Sequence, residues 1–229
     1  MRKETKALGR IERRRASTRA RILSAAYELM SEKGVDGTSI KEVTGLADIG
    51  YGTFFNYFET KDEVVLRVLD CAIDDMGRRN DVATMAIKNI HPAEVVCISV
   101  RLVIRELIEN QFWRWSLSHS DLLVDRMRLG FHRFGIRDMN IAIEGGRFRF
   151  EPDQVETGWS VLIWMLVNCA KDIYDGYSGK ESESLVTELI LRAMGVPIDD
   201  AHRLAHLPLP PTPQSDIDFS FAIEDYEAV

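Results

Sequence analysis

The sequence is poor in cysteine, in glycine-rich loops and in long apolar runs, and each shortage removes a class of protein. Only Cys71, Cys97 and Cys169 occur, with no CxxC and no Cys/His cluster. That excludes a disulfide scaffold and a thiolate metal site, and suits a reduced, cytoplasmic protein. The stretch "WSVLIWMLVNCA", Trp159 to Ala170, is interrupted by Ser160 and Asn168 and is too short to cross a bilayer. No membrane partner is therefore expected. The basic N-terminus leads into no apolar segment of the secretory type. Gly145 and Gly146 follow no strand pattern and no G-x-G-x-x-G, so they read as a helix stop and not a phosphate cradle. No Ser/His/Asp or Cys/His arrangement can be picked out, and no enzyme activity is expected. His202 and His206 lie four apart beside Asp199 and Asp200, but with no third histidine or cysteine they predict no metal site, and no cofactor is expected.

What is present is charge, unevenly placed. The formal net charge is −7, yet residues 1–21 hold nine Lys/Arg against two Glu, or +7, leaving −14 for the rest. Such a chain would meet nucleic acid with one end and not with its whole surface.

The apolar periodicity is helical throughout, with no strand alternation and no internal repeat, which predicts an all-α fold. From Ser17 or Thr18, Ile22, Ala25, Ala26, Leu29 and Met30 form one stripe, closed by Gly34. A short helix follows from Thr38 or Ser39. Thr60 and Glu63 form a capping box that opens a longer helix. Further helices are predicted from Pro92 to Asn110, over residues 121–146, from Pro152 into the following stretch, and over residues 181–195. The segment from Val196 has four of the seven prolines between Pro208 and Pro213 and a charge of −6, and reads as extended and mostly disordered, with Phe219, Phe221 and Tyr226 able to dock.

Between the two early caps lies "GYGTFFNYFETK", residues 50–61. Asp48 tolerates a left-handed turn and Gly50 serves as an N-cap for a helix of roughly Tyr51 to Tyr57. On a 3.6-residue period Phe54 and Phe58 share an inner face, while Tyr51, Gly52, Thr53, Asn56 and Tyr57 fall outward. Small residues permit close approach to a DNA groove, Tyr and Asn offer hydrogen bonds to bases and phosphates, and Lys61 offers a cation to a phosphate.

The run "TSIKEVTGLADIGYGTFFNYFETKDEV" resembles the TetR family of transcriptional regulators, with Thr38, Val43, Ala47, Ile49, Gly52, Thr53, Phe54, Tyr57, Phe58, Lys61 and Val64 in register. The resemblance covers about residues 17–75. It departs from the family pattern at Thr44, Asp48, Gly50 and Phe55, where Ala, Gly, Ser and Tyr are usual. It implies a helix-turn-helix domain over 17–60 and a helical effector and dimerisation domain over 61–195, flanked by what composition reads as a basic arm over residues 1–16 and an acidic Pro-rich tail over 196–229. Thr38, Thr53, Tyr57 and Lys61 are the foremost DNA contacts on this resemblance. Tyr51, Gly52, Asn56 and Arg19 join them, with Arg13, Arg14 and Arg15 as weaker candidates, and Phe55 offers a bare ring to a thymine methyl.

The same resemblance predicts a homodimer on a palindromic double-stranded operator. The last two long helices would supply the interface through Trp159, Leu162, Leu166, Leu185 and Leu189. A largely apolar small-molecule effector would be lined by Trp113, Trp115, His119, Met127, Phe131, Phe134 and Trp164. The implied function is a repressor that releases DNA when the effector binds. The rivals are a regulator that answers a protein partner through its acidic tail, and an all-α enzyme or lipid carrier.

Overall fold

The computed structural model describes residues 9–87 and 90–221. The described chain is helical without strands, and it divides into two units. The first holds the described residues up to Cys71 together with Asp218–Phe221, and the second runs from Ala72 to Ile217.

In the first unit α1 spans Arg10–Lys33, α2 Ile40–Leu46 and α3 Tyr51–Phe54, and α4 begins at Lys61. The segment expected as an arm is thus helical from Arg10 onward, and its first eight residues lie outside the described ones. Ser39 caps α2: its Oγ accepts from Glu42 N–H at 3.3 Å, and the Glu42 carboxylate accepts from Ser39 N–H at 3.0 Å. Asp48 takes φ 50°, the left-handed turn between α2 and α3. The core is built from Ile22, Leu23, Ala26, Met30, Val43, Phe54, Phe58, Val65 and Leu69, all almost fully buried.

α4 extends through to Met85. The helix runs through Gly77, where glycine serves packing: a Cβ there would stand 2.6 Å from the Phe134 ring. The second unit adds α5 (Pro92–Glu109), α6 (Gln111–Ser118), α7 (Ser120–Gly130), α8 (His132–Glu144), α9 (Val155–Tyr174), α10 (Ser182–Ala193) and α11 (Ile198–Ala205). α9 is central, packing against α5, α6, α7, α8 and α10. One helix was expected over residues 121–146; the chain instead turns at Phe131, between α7 and α8.

Two polar features lock this unit. Glu183, buried on α10, accepts from Arg105 Nε at 2.8 Å and from Arg101 Nη2 at 3.3 Å. Beyond α11 the described part of the tail is seated, where disorder was expected. Leu207 C=O accepts from Arg101, Leu209 packs on Ala83, Ile98 and Leu102, and Ser215 Oγ donates to Asp75 at 2.9 Å. In the first unit the Phe219 ring lies 6.0 Å from that of Tyr27. Tyr226, expected to dock, lies outside the described residues.

Candidate nucleic-acid interface and internal cavity

Only one turn of regular helix follows Gly50, because Asn56 N–H and Tyr57 N–H bond back to the carbonyls of Thr53 and Phe54 in tight turns. The short helix is held from below by Phe54 and Phe58, both buried. Above them Tyr51 and Phe55 are 55% and 47% exposed, their rings edge to face at 5.5 Å. Two aromatic rings held out in water beside one another are poorly placed for stability and well placed for a partner. Between them Gly52 is open: a Cβ there would meet nothing within 4 Å. Asn56 is exposed, and Thr53 and Tyr57 are partly so. Thr53 and Tyr57 line a notch with Gly50, Arg14, Ser17, Thr18 and Arg21.

Three expected DNA contacts are differently engaged. Thr38 is 2% exposed, its hydroxyl donating to Gly34 C=O at 2.9 Å, so it closes the turn after α1. Lys61 Nζ donates to Val35 C=O at 3.0 Å and to Thr38 C=O at 3.2 Å. Its charge satisfies carbonyls left by that turn, and the phosphate role does not follow from its placement. The Arg19 guanidinium lies 5.4 Å over the Phe58 ring, a cation–π contact. Sequence reasoning missed Arg21, whose guanidinium reaches Ala47 C=O and Asp48 C=O at the end of α2; a basic residue immediately before the first core position, Ile22, was the available signal.

The second unit contains a cavity of about 60 Å³. Its walls are mostly apolar, with Val100, Val103, Phe131, Phe134, Met139, Trp159, Leu162 and Leu166 among them, and a polar end made by Asn80, Asp81, Ser99, Arg137 and Asp138. Arg137 donates to Asp81 at 2.6 Å and to Asp138 at 2.8 Å. Burial pushes the Asp138 carboxyl above the usual carboxylate range, against the pull of Arg137.

Of the seven residues expected around an effector, Phe131 and Phe134 line this cavity. Trp113 and Met127 are buried away from it in the packing of α6 and α7. Trp115 and His119 stack on each other at 4.2 Å, with His119 exposed. Trp164 is 44% exposed on α9. The five residues expected at a dimer interface also divide. Trp159, Leu162 and Leu166 turn inward onto the cavity, whereas Leu185 and Leu189 are exposed with Val161 and Trp164. A stripe too wide for one neighbour is thus two faces of the same helix pair.

Residues 22–68 match the family model for the bacterial regulatory proteins of the tetR family, and residues 91–207 match the tetracyclin repressor-like C-terminal domain. The HTH-type transcriptional repressor Rv3405c of Mycobacterium tuberculosis is 39% identical over 56 residues, which cover 24% of this chain and 30% of that protein. An HTH-type regulator of Bacillus subtilis, YvdT, is 42% identical over 45 residues, 20% of this chain and 23% of its own. The chain therefore matches less than a third of the length of these curated relatives. The crystal structure of RolR in complex with its ligand resorcinol superposes with a TM-score of 0.79 at 27% identity, covering 88% of this chain and 100% of that one. A TetR-family regulator from Pectobacterium atrosepticum, at 20% identity and a TM-score of 0.66, covers 82% of this chain and 97% of its own and shares the fold. With the second of the two family models alone spanning half of the sequence, the chain belongs to the TetR family of transcriptional regulators.

Proposed function

We propose that the protein is a dimeric cytoplasmic repressor, not an enzyme, that leaves a palindromic operator when a small hydroxylated ring enters the cavity of its second unit. The observation that carries the DNA half is the half-exposed aromatic pair Tyr51 and Phe55 astride the open Gly52. In a major groove the glycine admits the backbone to a base edge, Phe55 meets a thymine methyl, and Thr53, Asn56 and Tyr57 supply hydrogen bonds.

The effector class follows from the cavity's chemistry. An apolar wall accepts a ring, and a carboxylate–guanidinium end accepts and donates to hydroxyls. About 60 Å³ is well under the roughly 150 Å³ of a protein cavity known to hold benzene, so one ring is the upper limit and Arg137 must shift to admit it. RolR's resorcinol fits that description. A cavity of this kind also favours a small-molecule signal over the rival in which a solid core answers to a protein partner.

Release would run through α4. Gly77, Asn80, Asp81 and Thr84 line the cavity, while Lys61 at the other end of the same helix ties down the turn after α1. A ligand that separates Arg137 from Asp81 acts on the helix that carries the reader. Such coupling is reciprocal, so operator DNA would weaken effector binding by the same factor.

Selection from genomic fragments followed by mobility shift at two salt concentrations tests the first half, with tight, salt-sensitive binding to a palindrome expected. No specific site would sink the reading. Thermal shift with resorcinol, phenol and benzene tests the second. Stabilisation in that descending order supports the polar end as the selector, and stabilisation by benzene alone would overturn it.

A further inference from the structure

We infer that the first turns of α1 form a rigid phosphate track that lengthens the operator footprint beyond the recognition helix. The inference rests on the DNA-binding reading above. Six arginines lie between Arg10 and Arg21, and the structure separates them. Arg15 donates to Asn56 C=O at 3.4 Å, Arg19 covers the Phe58 ring, and Arg21 holds the end of α2. These three support the reader from within.

Arg10, Arg13 and Arg14 are exposed, and among the described residues no hydrogen bond or ion pair engages their guanidinium groups. Arg14 lines the notch shared with Gly50, Thr53 and Tyr57, and also a second one shared with Ile11, Arg15, Asn56 and Tyr57. Arg10 precedes it by one turn, about 6 Å along the axis, on the stripe that continues to Ser17 and Arg21. Arg13 points about 100° away from Arg14 around the helix.

Because this segment is helical, it does not act as a thread laid in the minor groove. A helix is about 10–12 Å across and the minor groove about 6 Å wide. With the recognition helix in the major groove, the adjoining surface available to α1 is the sugar–phosphate ridge. Arg10 and Arg14 then neutralise phosphates without reading bases.

The test compares the chain as it stands with Arg10→Gln/Arg14→Gln and with Arg13→Gln, measuring operator affinity from about 50 to 200 mM salt and base preference by selection. Glutamine keeps the helix propensity close to that of arginine, and circular dichroism checks that α1 persists. Two lost phosphate contacts lower the salt slope by about 1.8 per bound protomer. For a dimer on its palindrome the slope falls by about 3.6 and the affinity change across that salt range shrinks roughly a hundredfold, with base preference unchanged and Arg13→Gln behaving as the parent. An unaltered slope in the double variant overturns the track. So does an equal effect from Arg13→Gln, which marks diffuse attraction, or altered preference at flanking A·T positions, which marks minor-groove reading. Failure of the parent chain to select any site strikes at the regulator reading instead.

Discussion

Gly52 and Lys61 sit nine residues apart, and their substitutions separate contact with DNA from support of the reader. Gly52→Ala adds a methyl into open space, and in a helical turn alanine restricts the unfolded chain, so the melting temperature holds or rises slightly. The same methyl stands where a base edge would approach, and operator affinity is expected to fall at least tenfold in a mobility shift. An unaltered affinity would remove this helix from the groove. Lys61→Ala has the opposite signature. It takes the ammonium donor from the Thr38 carbonyl and from the Val35 carbonyl, which keeps only the Thr38 N–H at 3.2 Å, costing about 1–3 kcal/mol, visible in thermal or urea unfolding. The salt slope of DNA binding should stay near the parent's once the protein is folded; a slope reduced by about one would restore a direct phosphate contact.

At the scale of elements, the cap of α2 gives a pH signature. Hydrogen bonds from Lys33 and then from Ser39 hold the Glu42 carboxyl down at about 2, against an ordinary value of 4.5. Because the folded value is depressed, this stabilisation is complete above pH 4.5 and is lost as pH falls toward 2. NMR titration should place the Glu42 carboxyl well below the exposed carboxylates, and Glu42→Gln should flatten the acid-side loss of stability over that window. At the other end of α4, Gly77→Ala drives a methyl against Phe134 and Phe131, the two aromatic walls of the cavity. A cost of about 1–3 kcal/mol is expected. Calorimetry with resorcinol should show binding lost while operator binding persists; tight resorcinol binding in this variant would place the ligand elsewhere. These elements also show what the sequence made legible. The Ser39 and Thr60 caps, the left-handed turn at Asp48 and the two-faced helix after Gly50 each have a local chemical cause, and a local cause can be read from a short window. The turn at Phe131 and the seat of the tail depend on partners far away in the chain, Ile73 against Gly130 and Asp75 against Ser215. For Thr38 and Lys61 a hydroxyl or an ammonium serves a phosphate and a carbonyl equally well. The carbonyl partners the fold supplies lie too far along the chain or in too particular a turn to be read from a short window.

For the whole molecule, the proposed dimer turns on which half of the α9–α10 surface would face a second copy. Trp159, Leu162 and Leu166 are nearly buried within the protomer and line the cavity, which leaves little of their surface to a partner chain. Val161, Trp164, Leu185 and Leu189 remain, 41–56% exposed on two neighbouring helices of one unit. Their burial in an isologous four-helix contact would give the symmetry a palindrome requires, with two recognition helices about one DNA turn, roughly 34 Å, apart. Leu185→Glu/Leu189→Glu puts two carboxylates on each side of that contact. Sedimentation should then report a monomer that melts as one cooperative species, since neither leucine is buried within the protomer. Operator affinity should fall toward that of non-specific DNA, because one recognition helix reads only half a site. A double variant that stays dimeric would move the interface to another face. A monomer that still binds the full palindrome as tightly as the parent would show that dimerisation is not what registers the two readers.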